Sequence, residues 1–369
     1  MNNQYELSTK CLIIGGGPAG STLARKLSKN SIENILVEKN LNYDKPCGGG
    51  VKSIVFEEFD LPKEFENKKI NICKLHSPKY SVKVDISNTP ISIVLRQEFD
   101  KKNRELAKEA GTILIEGRYK KAEKTGNYYL VKIETKNKTL IIKTEYLIGA
   151  DGVKSSVRKD LFNSTVNAIL TNYCNIPNKD IDFCEFYFGK NYAPNEYAWV
   201  FPHGNKLSIG AGLKEGTNAK KLFPIFKKKI IKNDETKVNG FFIPIWEKDD
   251  IFFKNNVFLL GDAAGQVLPF TYEGIYYAIK SADILANAII KEDPYFYEKE
   301  WNKKFRKRFD FFKTMQKIFL SFDFMTNKLI KFFQNKKLQR RGLAYWEGTA
   351  KPLTSGQAAL KLFKYLFKN

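Results

Sequence analysis

The chain has 369 residues, 43% hydrophobic and 28% charged, proportions of a globular protein that exclude a mainly disordered one. It is strongly basic, with a formal charge of +22, and residues 301–369 hold 17 Lys and Arg against three Asp and Glu. No window of 18 uninterrupted apolar residues occurs, and the opening MNNQYELSTK lacks a basic stretch backed by an apolar run, so neither a membrane-crossing helix nor a signal peptide is expected. Five cysteines without a Cys-x-x-Cys pair point to a reducing compartment and away from a metal site.

In chain order, Cys11-Leu12-Ile13-Ile14 is a short apolar run suited to a buried parallel strand. Glycines from Gly15 to Gly20 punctuate it, Ser21 to Lys29 has helical character, and Ile35-Leu36-Val37 is a second buried strand, which completes a βαβ opening. Arg96 to Ala110 predicts a helix stopped by Gly111, Thr112 to Glu116 a strand, and residues 119–149 short β runs ending in Tyr146-Leu147-Ile148. From about 160 to 250 the pattern changes to aromatic-rich strands (Phe183 to Phe188, Tyr197 to Phe201, Leu207 to Leu213) with Pro and Gly between them, as in an antiparallel sheet. Val257 to Leu260 is again a buried strand, a long apolar helix runs from Glu273 to Ile290, and from 294 the chain reads as helical and basic. The fold class is α/β (α+β overall). A Rossmann-like domain spans 1–75, 92–160 and 255–293, an inserted antiparallel β-sheet substrate domain spans 76–91 and 161–254, and a helical region spans 294–369.

The first turn carries Gly15-x-Gly17-x-x-Gly20 with the acid Glu38 at the end of the second strand. Gly15 permits the tight turn, Gly17 lets backbone approach a pyrophosphate, and Gly20 allows close helix–strand packing. The helix that follows aims its free N–H groups at the phosphates past Ala19. Glu38, followed by Lys39, can accept from both ribose hydroxyls and disfavours a ribose phosphate there. Two more strand ends carry small residues and one acid: Gly149-Ala150-Asp151-Gly152, and Leu260-Gly261-Asp262-Ala263-Ala264-Gly265. Asp262 can hold a ribityl hydroxyl, and the helix beginning near Gly274-Ile275 can face the flavin's carbonyl edge. Three such sites in this order favour FAD over NAD.

These residues together resemble the FAD-dependent oxidoreductases of the glutathione-reductase/p-hydroxybenzoate-hydroxylase type, with Arg96 and Phe99-Asp100 matching the arginine that this superfamily places near the FAD phosphates and ribose. Pro46-Cys47-Gly48-Gly49-Gly50 resembles the cysteine–glycine segment of the geranylgeranyl reductases, and Pro194-x-x-Tyr197-x-Trp199-x-Phe201-Pro202 is similar to that family's substrate-domain motif. The likeness covers about residues 8–290. It departs at Pro269-Phe270-Thr271-Tyr272-Glu273-Gly274-Ile275, where Tyr272 stands in place of the family's glycine.

The resemblance implies reduction of isolated alkenes in a polyprenyl chain, by hydride from reduced flavin and a proton to the other carbon, inside a long dry tunnel. Phe186, Phe188, Tyr197, Trp199, Phe201 and Pro202 are the expected substrate wall, together with Phe183. Cys47 and Tyr272 are the catalytic candidates, and Cys47, Gly48 and Gly49 also border the flavin. His203 reads as a turn residue rather than an acid, and Cys11, Cys73, Cys174 and Cys184 as packing residues. The electron donor is external: NAD(P)H, ferredoxin or a reduced deazaflavin.

In the tail, Trp301 to Arg308 reads WNKKFRKR, and Leu360, Phe363 and Phe367 recur beside Lys361, Lys364 and Lys368. Such basic amphipathic helices suit an anionic membrane surface, or their apolar face caps the protein's own core. With a lipid substrate, the expected location is cytoplasmic, peripheral at the inner face of the cell membrane. Nucleic acid is not an expected partner. Two other functions fit a flavoprotein of this kind: a monooxygenase or epoxidase of an apolar substrate, and a noncatalytic membrane-associated electron carrier.

Overall fold

The apolar run Cys11–Ile14 lies at the centre of the larger of two main sheets in this computed structural model, which describes residues 5–177, 181–213, 218–232 and 235–351, with Gln357. The first half contains β1 (Leu7–Ile14), α1 (Pro18–Lys29), β2 (Asn34–Glu38), β3 (Gly50–Lys52), α2 (Ile54–Glu58), β4 (Lys68–Ile70), β5 (Ile72–His76), β6 (Ser81–Asp85), β7 (Ile91–Ile93), α3 (Arg96–Glu109), β8 (Ile113–Glu116), β9 (Arg118–Thr125), β10 (Tyr128–Glu134), β11 (Thr139–Gly149) and α4 (Ser156–Phe162). The second half contains β12 (Ala168–Pro177), β13 (Cys184–Gly189), β14 (Ala193–His203), β15 (Lys206–Leu213), α5 (Ala219–Ile230), β16 (Asn239–Pro244), β17 (Phe253–Lys254), β18 (Val257–Leu259) and α6 (Ile275–Ile290). Four more helices follow: α7 (Tyr295–Trp301), α8 (Lys307–Leu320), α9 (Asp323–Gln334) and α10 (Lys336–Glu347).

The larger sheet has the order β17-β18-β11-β1-β2-β8, with β10 and β9 attached through β11. The neighbours of β1 are both parallel to it, and Cys11, Leu12 and Ile13 are buried, which is why this stretch is continuously apolar. α1 starts with proline at its first turn and has no acidic residue there. It lies so close to the sheet that a Cβ on Gly20 would come within 1.9 Å of the Gly15 carbonyl oxygen. α6 is apolar on several faces because it is covered on several faces, from Ile275 through Ile289. Lys26 of α1 and Asp283 of α6 form an ion pair between the two helices.

The second sheet runs β16-β12-β15-β14-β13-β5-β6, and β3-β7-β4 form a small third one. β5 pairs in parallel with β13, Cys184 opposite Cys73. The chain therefore enters the second sheet at Ile72, four residues ahead of the boundary read from the sequence, because Ile72–His76 is needed as a sheet neighbour for the aromatic strand. Along β14 the side chains alternate: Tyr197, Trp199 and Phe201 on one face, Ala198 and Val200 packed with Phe223 and Phe226 of α5 on the other.

The tail decides between the two sequence readings of Trp301–Arg308. Trp301 is fully buried, with the Phe305 and Phe309 rings 4.7 and 5.7 Å away. Arg308 is buried too, donating from Nε to the Tyr277 hydroxyl at 2.9 Å and from its fork to the Trp346 carbonyl. The apolar face of Trp301–Arg308 thus closes the protein's own core and is not offered to a membrane, while Lys303, Lys304 and Lys307 stay in solvent. Leu360, Phe363 and Phe367, with their lysines, lie outside the described residues. Among the described residues no helix is long and apolar enough to cross a membrane.

Candidate active site

A cavity of about 830 Å³ lies between the carboxyl ends of the β1–β2–β11 strands and the aromatic face of the second sheet, where open α/β sheets bind ligands. Its two ends are built differently. At the first, Gly15, Gly17, Ala19, Glu38, Lys39, Arg96, Asp151 and Asp262 line it. Gly15 has φ +108, and a Cβ there would meet the Ala150 carbonyl oxygen at 2.3 Å, so only glycine fits. A Cβ on Gly17, by contrast, would meet nothing within 4 Å, which leaves the space in front of it clear. Gly17 supplies no side-chain cap for α1, so the helix end is open to an anion.

Glu38 uses one oxygen to accept from the Gly16 N–H at 2.7 Å and the other from the Asn40 N–H at 3.1 Å, which fixes the carboxylate while lone pairs remain for hydroxyls. Arg96 pairs with Asp100 through two hydrogen bonds of 3.1 and 2.7 Å. Burial opposes its charge, but Asp100 and the nearby Cys47 hold its pKa up. Lys45 and Asp262 form an ion pair of 2.5 Å on the cavity wall.

Three of the cofactor candidates make close contacts within the protein, Gly20 in the packing role that its sequence position predicts. The Asp151 carboxylate accepts from the Ser155 hydroxyl and from the N–H groups of Ser156 and Val157, so it caps α4; burial raises its pKa against those bonds. Gly20 and Gly261 do not line the cavity but make room behind it: a Cβ on Gly261 (φ +54) would press on Ala278 at 3.0 Å. Gly274 and Ile275 do line it, at the start of α6.

The other end is apolar. Phe186 lies opposite Trp199, and Phe188 opposite Tyr197, in β13 and β14, with ring centroids of Phe186 and Phe201 5.2 Å apart. Trp199 covers Gly210, where a Cβ would sit 2.1 Å from the indole. All five of these aromatic residues line the cavity. Pro202 does not: strand alternation turns it to the opposite face, beside Leu207. Phe183 lies outside as well, under Lys74 at 3.6 Å. The glycines after Cys47 are explained by neighbours within the protein: a Cβ on Gly48 would meet the Phe201 ring at 2.8 Å, and Gly49 (φ +75) packs on the Val94 carbonyl. Cys47 itself is half-buried on the wall and accepts from the Gly49 N–H at 3.3 Å.

Tyr272 lines the cavity at φ +54, in the left-handed region that favours glycine. Its hydroxyl donates to Glu196 and accepts from Gln316 Nε2 at 3.0 Å. Burial, then the Glu196 carboxylate, push its pKa well up. The Tyr197 hydroxyl donates to the Thr271 carbonyl at 2.8 Å, holding the same segment. His203 ends β14 ahead of Gly204 (φ +61), its Nδ1 buried without a partner, and burial lowers its pKa.

Sequence reasoning missed one wall altogether. Phe312 of α8, Leu329 and Phe333 of α9, and Leu343 and Trp346 of α10 line the apolar end. Trp346 is held by a buried polar cluster. Its carbonyl accepts from Lys52 Nζ at 2.6 Å and from Arg308, its indole N–H donates to Glu273, and Lys52 pairs with Glu273 at 3.3 Å. The two cations also suit the carbonyl end of α10. Leu329/Phe333 and Leu343/Trp346 repeat at four and three residues, the available signal, but spacing alone does not tell a cavity face from a core face.

The arrangement therefore fits FAD: a glycine turn with open space before it, an uncapped helix end, an acid fixed at the end of β2, and an apolar chamber beyond. Comparison with known proteins agrees. Residues 8–187 match an FAD binding domain and residues 162–243 the geranylgeranyl reductase catalytic domain. The chain is 30% identical over 344 residues to the chloroplastic geranylgeranyl diphosphate reductase of Arabidopsis thaliana, covering 83% of this chain and 73% of that one. It is 29% identical to the digeranylgeranylglycerophospholipid reductase of Methanocaldococcus jannaschii, covering 82% and 84%. The solved structure of a geranylgeranyl bacteriochlorophyll reductase-like protein from Thermoplasma acidophilum superposes with a TM-score of 0.80 over 98% of this chain and 100% of that one, at 21% identity, which shows the shared fold. The chain belongs to the geranylgeranyl reductase family of FAD-dependent oxidoreductases.

Proposed function

We propose that this enzyme saturates C=C bonds of a polyprenyl chain carried by a lipid or isoprenoid, and that the single cavity joining a nucleotide cradle to an aromatic chamber is the observation that carries this reading. FAD, when bound and reduced, supplies the hydride. Gly15, Gly17, Ala19 and the open end of α1 bind its phosphates, Glu38 its ribose, Arg96 lies near its phosphates and ribose, and Asp262, Gly274 and Ile275 hold its flavin half. Trp199, Tyr197, Phe201, Phe186 and Phe188 hold the chain by rigid apolar area, since an isolated alkene offers no polar handle. The same rings exclude water, so the proton that completes the reduction has to come from the wall. Tyr272, kept protonated by burial and by Glu196, is the proton source in this reading, and Cys47 the neighbouring thiol that contacts the reacting segment.

The electron donor is external, of the NAD(P)H, ferredoxin or deazaflavin type, and the enzyme works at an anionic membrane surface where its substrate resides. The named relatives favour reduction over the oxygenase and electron-carrier alternatives. The test is anaerobic: the flavin-loaded protein is reduced with dithionite, given a geranylgeranyl lipid, and the product weighed. Mass gains in steps of two hydrogens, impaired in Trp199→Ala and Cys47→Ala, support the reading. An unchanged lipid with reduced flavin, across several head groups, rejects it.

A further inference from the structure

We propose that the corner between α8 and α9 is the part of the protein that enters the lipid interface, with an anionic bilayer as its occupant. The proposal rests on the reading of a peripheral membrane enzyme and gives it a site. Phe322 and Phe324 are 54% and 55% exposed, their ring centroids 5.9 Å apart. Single exposed apolar side chains are ordinary, but two large rings side by side on a convex turn leave apolar surface in water with no intramolecular return.

The backbone that presents them is fixed. Asp323 Oδ1 accepts from the Lys190 N–H at 2.9 Å, Asn327 Oδ1 from the Lys79 N–H at 3.0 Å, and the Thr326 hydroxyl donates to the Phe319 carbonyl at 2.7 Å. Met325 and Thr326 are buried directly behind. The rings are thus displayed on an anchored turn.

Exposed lysines lie on the elements that meet at this corner: Lys79 and Lys190 in the loops beside β6 and β13, Lys317 in the last turn of α8, and Lys331 on α9. Lys190 Nζ sits 5.3 Å over the Phe322 ring. The carboxylate in this group, Asp323, is engaged with the Lys190 backbone. An apolar centre with a lysine rim complements an anionic bilayer, whose acyl region takes the rings and whose phosphates take the ammonium groups. Tyr295, 74% exposed, makes a useful contrast: its sequence neighbours Glu292, Asp293 and Glu298 would be repelled by the same surface. α9 also links this corner to the reaction site, because Leu329 and Phe333 on its next turns line the apolar chamber. A prenyl chain leaving the bilayer there reaches the chamber along one helix.

The full-length, FAD-loaded protein should co-sediment with phosphatidylglycerol/phosphatidylcholine vesicles. The Phe322→Ser/Phe324→Ser double variant should bind them at least about tenfold more weakly, with unchanged FAD content and unchanged reduction of a detergent-dispersed prenyl substrate. Phe324→Trp should show an emission blue shift on adding vesicles that wild type lacks, which serves as the readout if the double variant folds poorly. Vesicle binding equal to wild type in the double variant, with no blue shift, overturns the proposal while leaving membrane association intact. Absence of vesicle binding by wild type overturns the membrane reading itself. A concentration-dependent dimer that the double variant abolishes assigns the corner to a subunit interface and also overturns it.

Discussion

The two ends of the cavity are made from different materials. The nucleotide end is built from backbone: a glycine turn, the end of a helix and strand termini, with Glu38 fixed by two amides. The hydrocarbon end is built from side chains of β13, β14, α8, α9 and α10, elements far apart in sequence. At Gly15 and Gly20 the backbone site tolerates no added atom, because the carbonyls they would meet cannot rotate away. A side-chain site tolerates exchange at each position, and so can be reshaped for a different chain without disturbing the cofactor.

Substitutions that act on one end only put this contrast at risk. The largest effect is expected at Gly20, where even a methyl group would collide with the Gly15 carbonyl: Gly20→Val should abolish FAD retention and all activity, read from the flavin absorbance of the purified protein. Next is Lys52→Met, which leaves Glu273 buried without its cation and should cost about 3–5 kcal/mol of stability. Urea unfolding of the two proteins measures it, and a loss below 1 kcal/mol, on the order of an exposed pair, would contradict the buried role. Trp199→Ala should lower kcat/KM roughly 100-fold, or about 2.7 kcal/mol, with FAD content intact; a variant that also loses FAD would show that the ends are not separable. The smallest effect concerns His203. Its folded pKa lies below the ordinary 6.5 because of burial, so the unfolded chain binds the extra proton first as pH falls through that range. Stability should therefore rise with pH up to about 6.5 and level off above, and His203→Gln should flatten that rise in a series of melting curves.

The same division governs what could be read from the sequence. Gly15 and Gly20 announced their turn because each is required by a local clash, and local clashes leave local motifs. The aromatic strands were legible by alternation, which also explains the error at Pro202: the motif includes it, but its parity sends it to the other face. Asp151 has two roles open to it, since an acid at a strand end serves a ligand or a helix cap equally well, and here it caps α4 while lining the cavity. Trp301 among its lysines suited either an interface or a core cap, and it is buried against Phe305 and Phe309. Composition gave its helix, and only tertiary packing decides which side is covered. The wall from α8 to α10 stayed hidden because the contact that anchors it, Lys52 to the Trp346 carbonyl, joins residues 294 positions apart.

The order of those pieces along the chain has a consequence for how the enzyme is made. Synthesis runs from the N-terminus, and every element of the flavin cradle, from Gly15 to the helix that begins at Ile275, precedes the segment Lys307–Glu347 that walls the chamber. The chamber's remaining wall, Lys307–Glu347, is therefore the later-made part of the site, and Trp346 reaches back from it to Lys52 and Glu273.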